Sequence, residues 1–258
     1  MQKQRPLSAV GLWWRWVLAT FVGTVIGNIL GIPACLAGIY YLSDYLTELK
    51  ICHTGFGSLT CPVTTGIVSG SLVVGVFVGF MQYLVLRRLL RSSAWWIIAS
   101  TFGWTCIGSA ATSLAYTAQF GFVIGEDGVF AESNIIDRLP VLVTHGLWLV
   151  FAGLLLGVLQ WLILWNGAGN TVPKQRLFWW IVVNVTLVFF SAITIVLIFR
   201  GMGSLRGILW FFLGFTPIYA TITGAALAKM RLHRQAKVEE TQPALALNHE
   251  SNEISESL

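Results

Sequence analysis

The sequence predicts an all-α membrane protein: a polytopic bundle of about six transmembrane helices arranged as three parallel helix-pair repeats. Three observations carry this. Of 258 residues, 56% are hydrophobic and only 10% charged, where soluble chains carry about a quarter charged residues. Several uncharged apolar runs reach the ~20 residues that cross a bilayer core. Short motifs recur along these runs: Gly75-x3-Gly79-x2-Gln82 returns as Gly153-x3-Gly157-x2-Gln160, and Trp16-x6-Gly23 returns as Trp96-x6-Gly103, with Trp180 opening a degraded third copy.

The elements follow in order. Residues 1–11 are short and polar and lack a signal-cleavage pattern, so the first helix is expected to stay in the membrane as an anchor. That helix is expected over 12–42, with a bend or break at Pro33, and with Gly23, Gly27 and Gly31 on one face where two backbones can approach closely. Ile32-Pro33-Ala34-Cys35 has the outline of a lipoprotein box, but proline beside the small residue and Arg15 in the apolar region both argue against lipidation. A polar segment over 43–60 precedes helix two at 63–86, which Arg87, Arg88 and Arg91 stop. Helix three is expected over 94–123, an acidic loop over 125–138, and helix four over 139–165. A Gly/Asn turn leads to helix five at 177–199, then helix six at 205–228. The tail, 229–258, is basic, then polar and acidic, and reads as disordered.

Charge sets the expected orientation. With both termini cytoplasmic, the inner set is Lys3, Arg5, Arg15, Arg87, Arg88, Arg91, Lys174, Arg176, Lys229, Arg231, Arg234 and Lys237, leaving Lys50, Arg138, Arg200 and Arg206 outside. The positive-inside rule selects this topology. Trp13/Trp14, Trp95/Trp96 and Trp179/Trp180 all fall at the expected cytoplasmic helix starts, where indoles anchor at the interface. The net charge of +5 is thus a topology signal and no sign of a nucleic-acid partner; the lipid bilayer is the expected environment, with protein partners in a membrane complex.

An even number of helices per repeat preserves orientation, so three out-and-back pairs imply a pseudo-threefold bundle about the membrane normal. In the third pair the best alignment sets Gly214, Ile218 and Thr221 against Gly75, Gly79 and Gln82. The combination of Trp96, Gly103, Gly75, Gly79, Gln82, Leu86, Arg87 and Arg88, echoed by Gly153, Gly157, Gln160 and Trp161, resembles uncharacterised multi-pass membrane proteins common in cyanobacteria. The likeness covers roughly residues 12 to 165 and fades in the last pair; Trp165 stands where the first copy has Arg87. It implies a bacterial membrane location, plasma or thylakoid, and no activity.

Chemistry-bearing residues are few. All eleven acidic residues lie outside the expected spans, whereas proton- or cation-coupled carriers usually keep an intramembrane carboxylate. The polar residues within spans, Asn28, Gln82, Gln119, His145, Gln160 and Asn184, are therefore the candidates, with Gln82, Gln160, His145 and Asn28 the expected ligand-binding residues. Gln82 and Gln160, at equivalent repeat positions, are candidates to converge on the axis and bind a small polar ligand or water; the plainer reading is interhelical hydrogen bonding. His145 has no Cys, His, Asp or Glu partner spaced for a metal. Cys52 and Cys61, in the outer loop, are candidates for a disulfide, while Cys35 and Cys106 read as packing thiols. Asn184-Val185-Thr186 spells a glycosylation site in mid-membrane. No phosphate loop, protease pair or aspartate-rich motif appears, so neither a cofactor nor an enzyme is expected. Two functions are carried forward: an accessory or scaffold subunit of a membrane assembly, and a small-solute or lipid permease using the polar axis. An enzyme acting on lipids is a distant third.

Overall fold

The computed structural model describes residues 8–48, 60–87, 94–120, 122–124, 130–132, 135–168, 174–201 and 215–230. It is a helical bundle, and among the described residues five helices are long and apolar enough to cross a membrane. Helix α1 spans Ala9–Ala37; Ser8 caps it, its side chain accepting from the Gly11 backbone N–H at 3.0 Å. Twenty-nine residues already reach about 44 Å, yet the helix continues through a π-helical turn, Gly38–Leu42, into α2, Ser43–Glu48. The expected break at Pro33 is absent. Proline removes one backbone donor, and the ladder runs past it; the irregularity falls five residues later, where Gly38 lies so close to α3 that a Cβ would stand 2.7 Å from Ser69 Oγ. Part of the expected outer loop is therefore helix, with Asp44 and Glu48 exposed at its far end.

Helix α3 spans Thr60–Leu86 and α4 spans Trp95–Phe120. The expected continuation of this helix to residue 123 is replaced by a small antiparallel hairpin, β1 (Phe122–Ile124) paired with β2 (Phe130–Glu132), in the register Val123↔Ala131. The acidic loop is thus partly strand. Val123 and Ile124 favour extended backbone, and Asp127-Gly128 between the strands is a hairpin signal. Helix α5 spans Ile135–Ala168, starting earlier than expected, with Pro140 inside it at the cost of one backbone donor. Helix α6 spans Lys174–Gly201, and α7 covers 215–230. The tail beyond 230 lies outside the described residues.

Glycine decides how closely the helices pack. A Cβ on Gly23 would stand 2.9 Å from Val78 Cα, one on Gly27 2.8 Å from Val74 Cα, and one on Gly31 3.0 Å from the Gly70 carbonyl oxygen. The expected small face of the first helix therefore meets α3 backbone to backbone, as association in lipid favours. In sequence order α1 packs on α3, α3 on α4, α4 on α5 and α5 on α6. The circuit closes through α7, which bonds to α6 through Tyr219 and to α1 through Trp13 and Trp16.

Candidate functional site: an axial tryptophan triad and its polar ring

The helix starts carrying Trp16, Trp96 and Trp180 lie at one end of the bundle, and all three indoles are 0% exposed. Their ring centroids form a nearly equilateral triangle with sides of 5.8, 6.0 and 6.2 Å, every pair edge-to-face. That arrangement sets the positive edge of one ring against the negative face of the next. Leu86, Leu164 and Leu227 are buried with them in one apolar cluster. The expectation that all the paired tryptophans are interface anchors is corrected here. Trp96 and Trp180 of two pairs, and Trp16 two residues beyond the third, turn to the axis, while Trp14, Trp95 and Trp179 are 59%, 63% and 61% exposed and remain available for anchoring.

Each indole N–H finds an acceptor on a neighbouring helix. Trp96 donates to Gln82 Oε1 at 2.9 Å, Trp180 to Gln160 Oε1 at 3.0 Å, and Trp16 to Thr223 Oγ1 at 3.0 Å. The other end of each amide reaches the opposite side. Gln82 Nε2 donates to Thr20 Oγ1 at 3.2 Å, and Gln160 Nε2 donates to Ser100 Oγ at 3.1 Å, which in turn donates to Gln82 Oε1 at 3.4 Å. Thr20, Ser100 and Asn184 all stand four residues after an axial tryptophan, so each shares its face. The third junction uses two side chains. Thr223 is too short to span it, so Tyr219, one turn earlier on α7, donates to Asn184 Oδ1 at 2.8 Å. Asn184 Nδ2 donates to the Trp180 carbonyl at 2.8 Å, and Thr223 Oγ1 donates to the Tyr219 carbonyl at 2.7 Å. Hydrogen bonds thus join α1, α3, α4, α5, α6 and α7 into one ring of helices, the steps from Trp180 to Asn184 and from Tyr219 to Thr223 passing through backbone carbonyls and the step from Trp16 to Thr20 made along α1 itself, and Gln82, Ser100, Gln160, Asn184 and Thr223 are all 0% exposed.

The register of α7 follows from this circuit and differs from expectation. Thr221 and Ile218 are exposed, and the residue occupying the Gln82 position is Thr223. The pattern becomes Thr216-x3-Ala220-x2-Thr223-x3-Leu227 beside Gly75-x3-Gly79-x2-Gln82-x3-Leu86 and Gly153-x3-Gly157-x2-Gln160-x3-Leu164, every member buried. Small residues hold the close contacts, a polar residue meets the indole, and a leucine packs below. One turn to the other side, Val78, Leu156 and Tyr219 belong to the second apolar cluster, with Trp104 and Leu149. The axis is therefore filled in layers on both sides of the polar ring.

Of the expected site residues, Gln82 and Gln160 are brought together through Ser100, and Asn28 and His145 stay apart from them. Asn28 is half-buried and donates to the Thr24 carbonyl of its own helix at 2.8 Å, two turns from Thr20. His145 is half-buried in α5, away from the ring, and among the described residues no three His, Cys, Asp or Glu side chains gather as metal ligands would. The proposed Cys52–Cys61 bridge lies outside the described residues, while Cys35 and Cys106 are free thiols. Thr20, Ser100, Tyr219 and Thr223 escaped the sequence reading. The signal for the first two was Trp-x3-Thr/Ser/Asn, shared by Trp16, Trp96 and Trp180.

No protein family, no curated protein and no solved structure matches this chain.

Proposed function

We propose that this protein is a non-enzymatic scaffold or accessory subunit of a bacterial membrane assembly, with both termini cytoplasmic. Plasma and thylakoid membranes both fit the likeness to cyanobacterial proteins. One observation carries the reading: the bundle axis is filled by three mutually packed indoles, and the amides of Gln82 and Gln160 spend their hydrogen bonds on those indoles and on hydroxyls of neighbouring helices. A polar network closed in this way rigidifies a helical core and leaves the outer faces as the surface for partners. The three helix pairs, α7 with α1, α3 with α4 and α5 with α6, read as copies of one unit, joined so that the last described helix completes the first. A permease working through this axis would have to part the indoles and break the ring during each cycle.

The test is extraction in mild detergent through a tag on the C-terminal tail, with native mass and co-purifying proteins measured together. A stable heteromeric assembly is the expected result. A lone monomer or homo-oligomer that passes small solutes when reconstituted in liposomes, and loses that flux on Q82L/Q160L substitution, would overturn the scaffold in favour of the permease.

A further inference from the structure

We infer that the tryptophan end of α1 and α3 carries a binding groove for one anionic phospholipid. The helices touch backbone to backbone at Gly23 and Val78; one turn nearer the tryptophan end they part on the outer side, leaving a cleft of about 330 Å³, within the range of small-molecule sites of about 300–1,000 Å³. Leu18 and Val22 of α1 form one wall, and Leu84 and Val85 of α3 the other. Ala19 at the floor is too small to fill it, and Met81 closes the inner limit beside Gly23. Thr20 and Gln82, the neighbours of these residues, turn away to the axial ring, so the groove and the ring are separate features.

Charge names the occupant. Arg15 and Arg87 line the same cleft and are both exposed. No Asp or Glu occurs anywhere between residues 49 and 125, nor between 1 and 43, so neither helix offers either guanidinium a carboxylate near the groove. Two cations at the mouth of an apolar, lipid-facing cleft match a molecule with a negative phosphate at one end and a hydrocarbon chain at the other. Guanidinium groups bind phosphate oxygens through paired N–H donors, and the cleft between the helices takes the upper part of one acyl chain. A zwitterionic lipid offers the same chain with its phosphate charge offset, so the site discriminates by headgroup charge.

The full chain in detergent is titrated with dioleoyl phosphatidylglycerol, and separately with dioleoyl phosphatidylcholine, and read by native mass spectrometry. One tight phosphatidylglycerol adduct is expected, with affinity roughly tenfold or more above phosphatidylcholine, since a basic residue at a membrane surface is worth about a factor of several for an anionic lipid. R15Q/R87Q, which changes only exposed side chains, removes that preference. A19L keeps both charges, fills the floor and removes the adduct. K229Q, a cation lost from α7, leaves it intact. Equal binding of the two lipids, survival of the adduct in R15Q/R87Q, or an equal loss in K229Q would overturn the proposal. So would undiminished lipid binding in A19L together with competition by inorganic phosphate, because the headgroup alone would then account for the affinity.

Discussion

Gln82 and Gln160 each use both ends of the amide, the oxygen for an indole N–H and the nitrogen for a hydroxyl on another helix. Removing one amide leaves an indole donor and a hydroxyl unpaired in a dry core. Interhelical hydrogen bonds in membranes are individually modest, but orphaning a buried partner adds its desolvation cost. Q82L should therefore destabilise the protein by about 1–2 kcal/mol in unfolding titrations with SDS in mixed micelles. Ser100 connects the two glutamines, so Q82L and Q160L should show a coupling of about 0.5 kcal/mol or more in a double-mutant cycle. That coupling should vanish when the cycle is repeated in an S100A background; its persistence would mean that the circuit is not continuous. The positions of the two glutamines were legible because an amide in hydrocarbon needs partners. Which partners was not, since Thr20 and Ser100 are ordinary small residues until a neighbouring helix brings an amide to them.

At the scale of the helix, small residues set the spacing. Gly75 packs so tightly that a Cβ would lie 2.6 Å from the Thr101 carbonyl oxygen and 2.9 Å from Thr101 Cα. Backbone cannot move aside as a side chain does, so G75A should cost about 1–3 kcal/mol by forcing α3 from α4. Gly146 has nothing within 4 Å of its Cβ position, and G146A should be neutral or stabilising by up to about 1 kcal/mol through helix propensity. Thermal unfolding of both variants in one detergent checks the contrast, and equal effects would refute the packing argument. The glycine faces of α1, α3 and α5 were readable because their i, i+4 spacing does not depend on the partner. The α7 register was not readable, because there alanine and threonine replace glycine and glutamine, and Tyr219 supplies the hydrogen bond that the shorter threonine cannot reach.

At the scale of the molecule, the last described helix packs back on the first. Gly224 lies against Trp13 and Trp16, with a Cβ position 3.0 Å from Cδ1 of each indole, and the Trp13 N–H reaches the Thr221 carbonyl at 3.0 Å. G224L should wedge α7 from α1, open the ring at one junction and make the segment around 215–230 sensitive to protease in detergent while the remaining helices stay protected. The filled axis makes a second prediction for intact vesicles. A cysteine introduced at Gln82 or Ser100 should resist a water-soluble thiol reagent, whereas one at the exposed Trp14 position should be modified; fast labelling at the axial sites would indicate a water-filled path.

The membrane class, the succession of helices, the small faces and two of the three polar positions on the axis are legible in the amino-acid sequence. Each of these is a property of one segment: its length of apolar residues, its spacing of glycines, or an amide that must be satisfied. Three outcomes come from tertiary packing: which tryptophans turn inward, how α7 is set against the other two pairs, and how the polar residues bond around the filled axis. Those outcomes depend on distances between segments far apart in the chain. Trp16 and Thr223 become partners only when six helices have closed into a ring, and neither residue's own surroundings in the sequence carry that information.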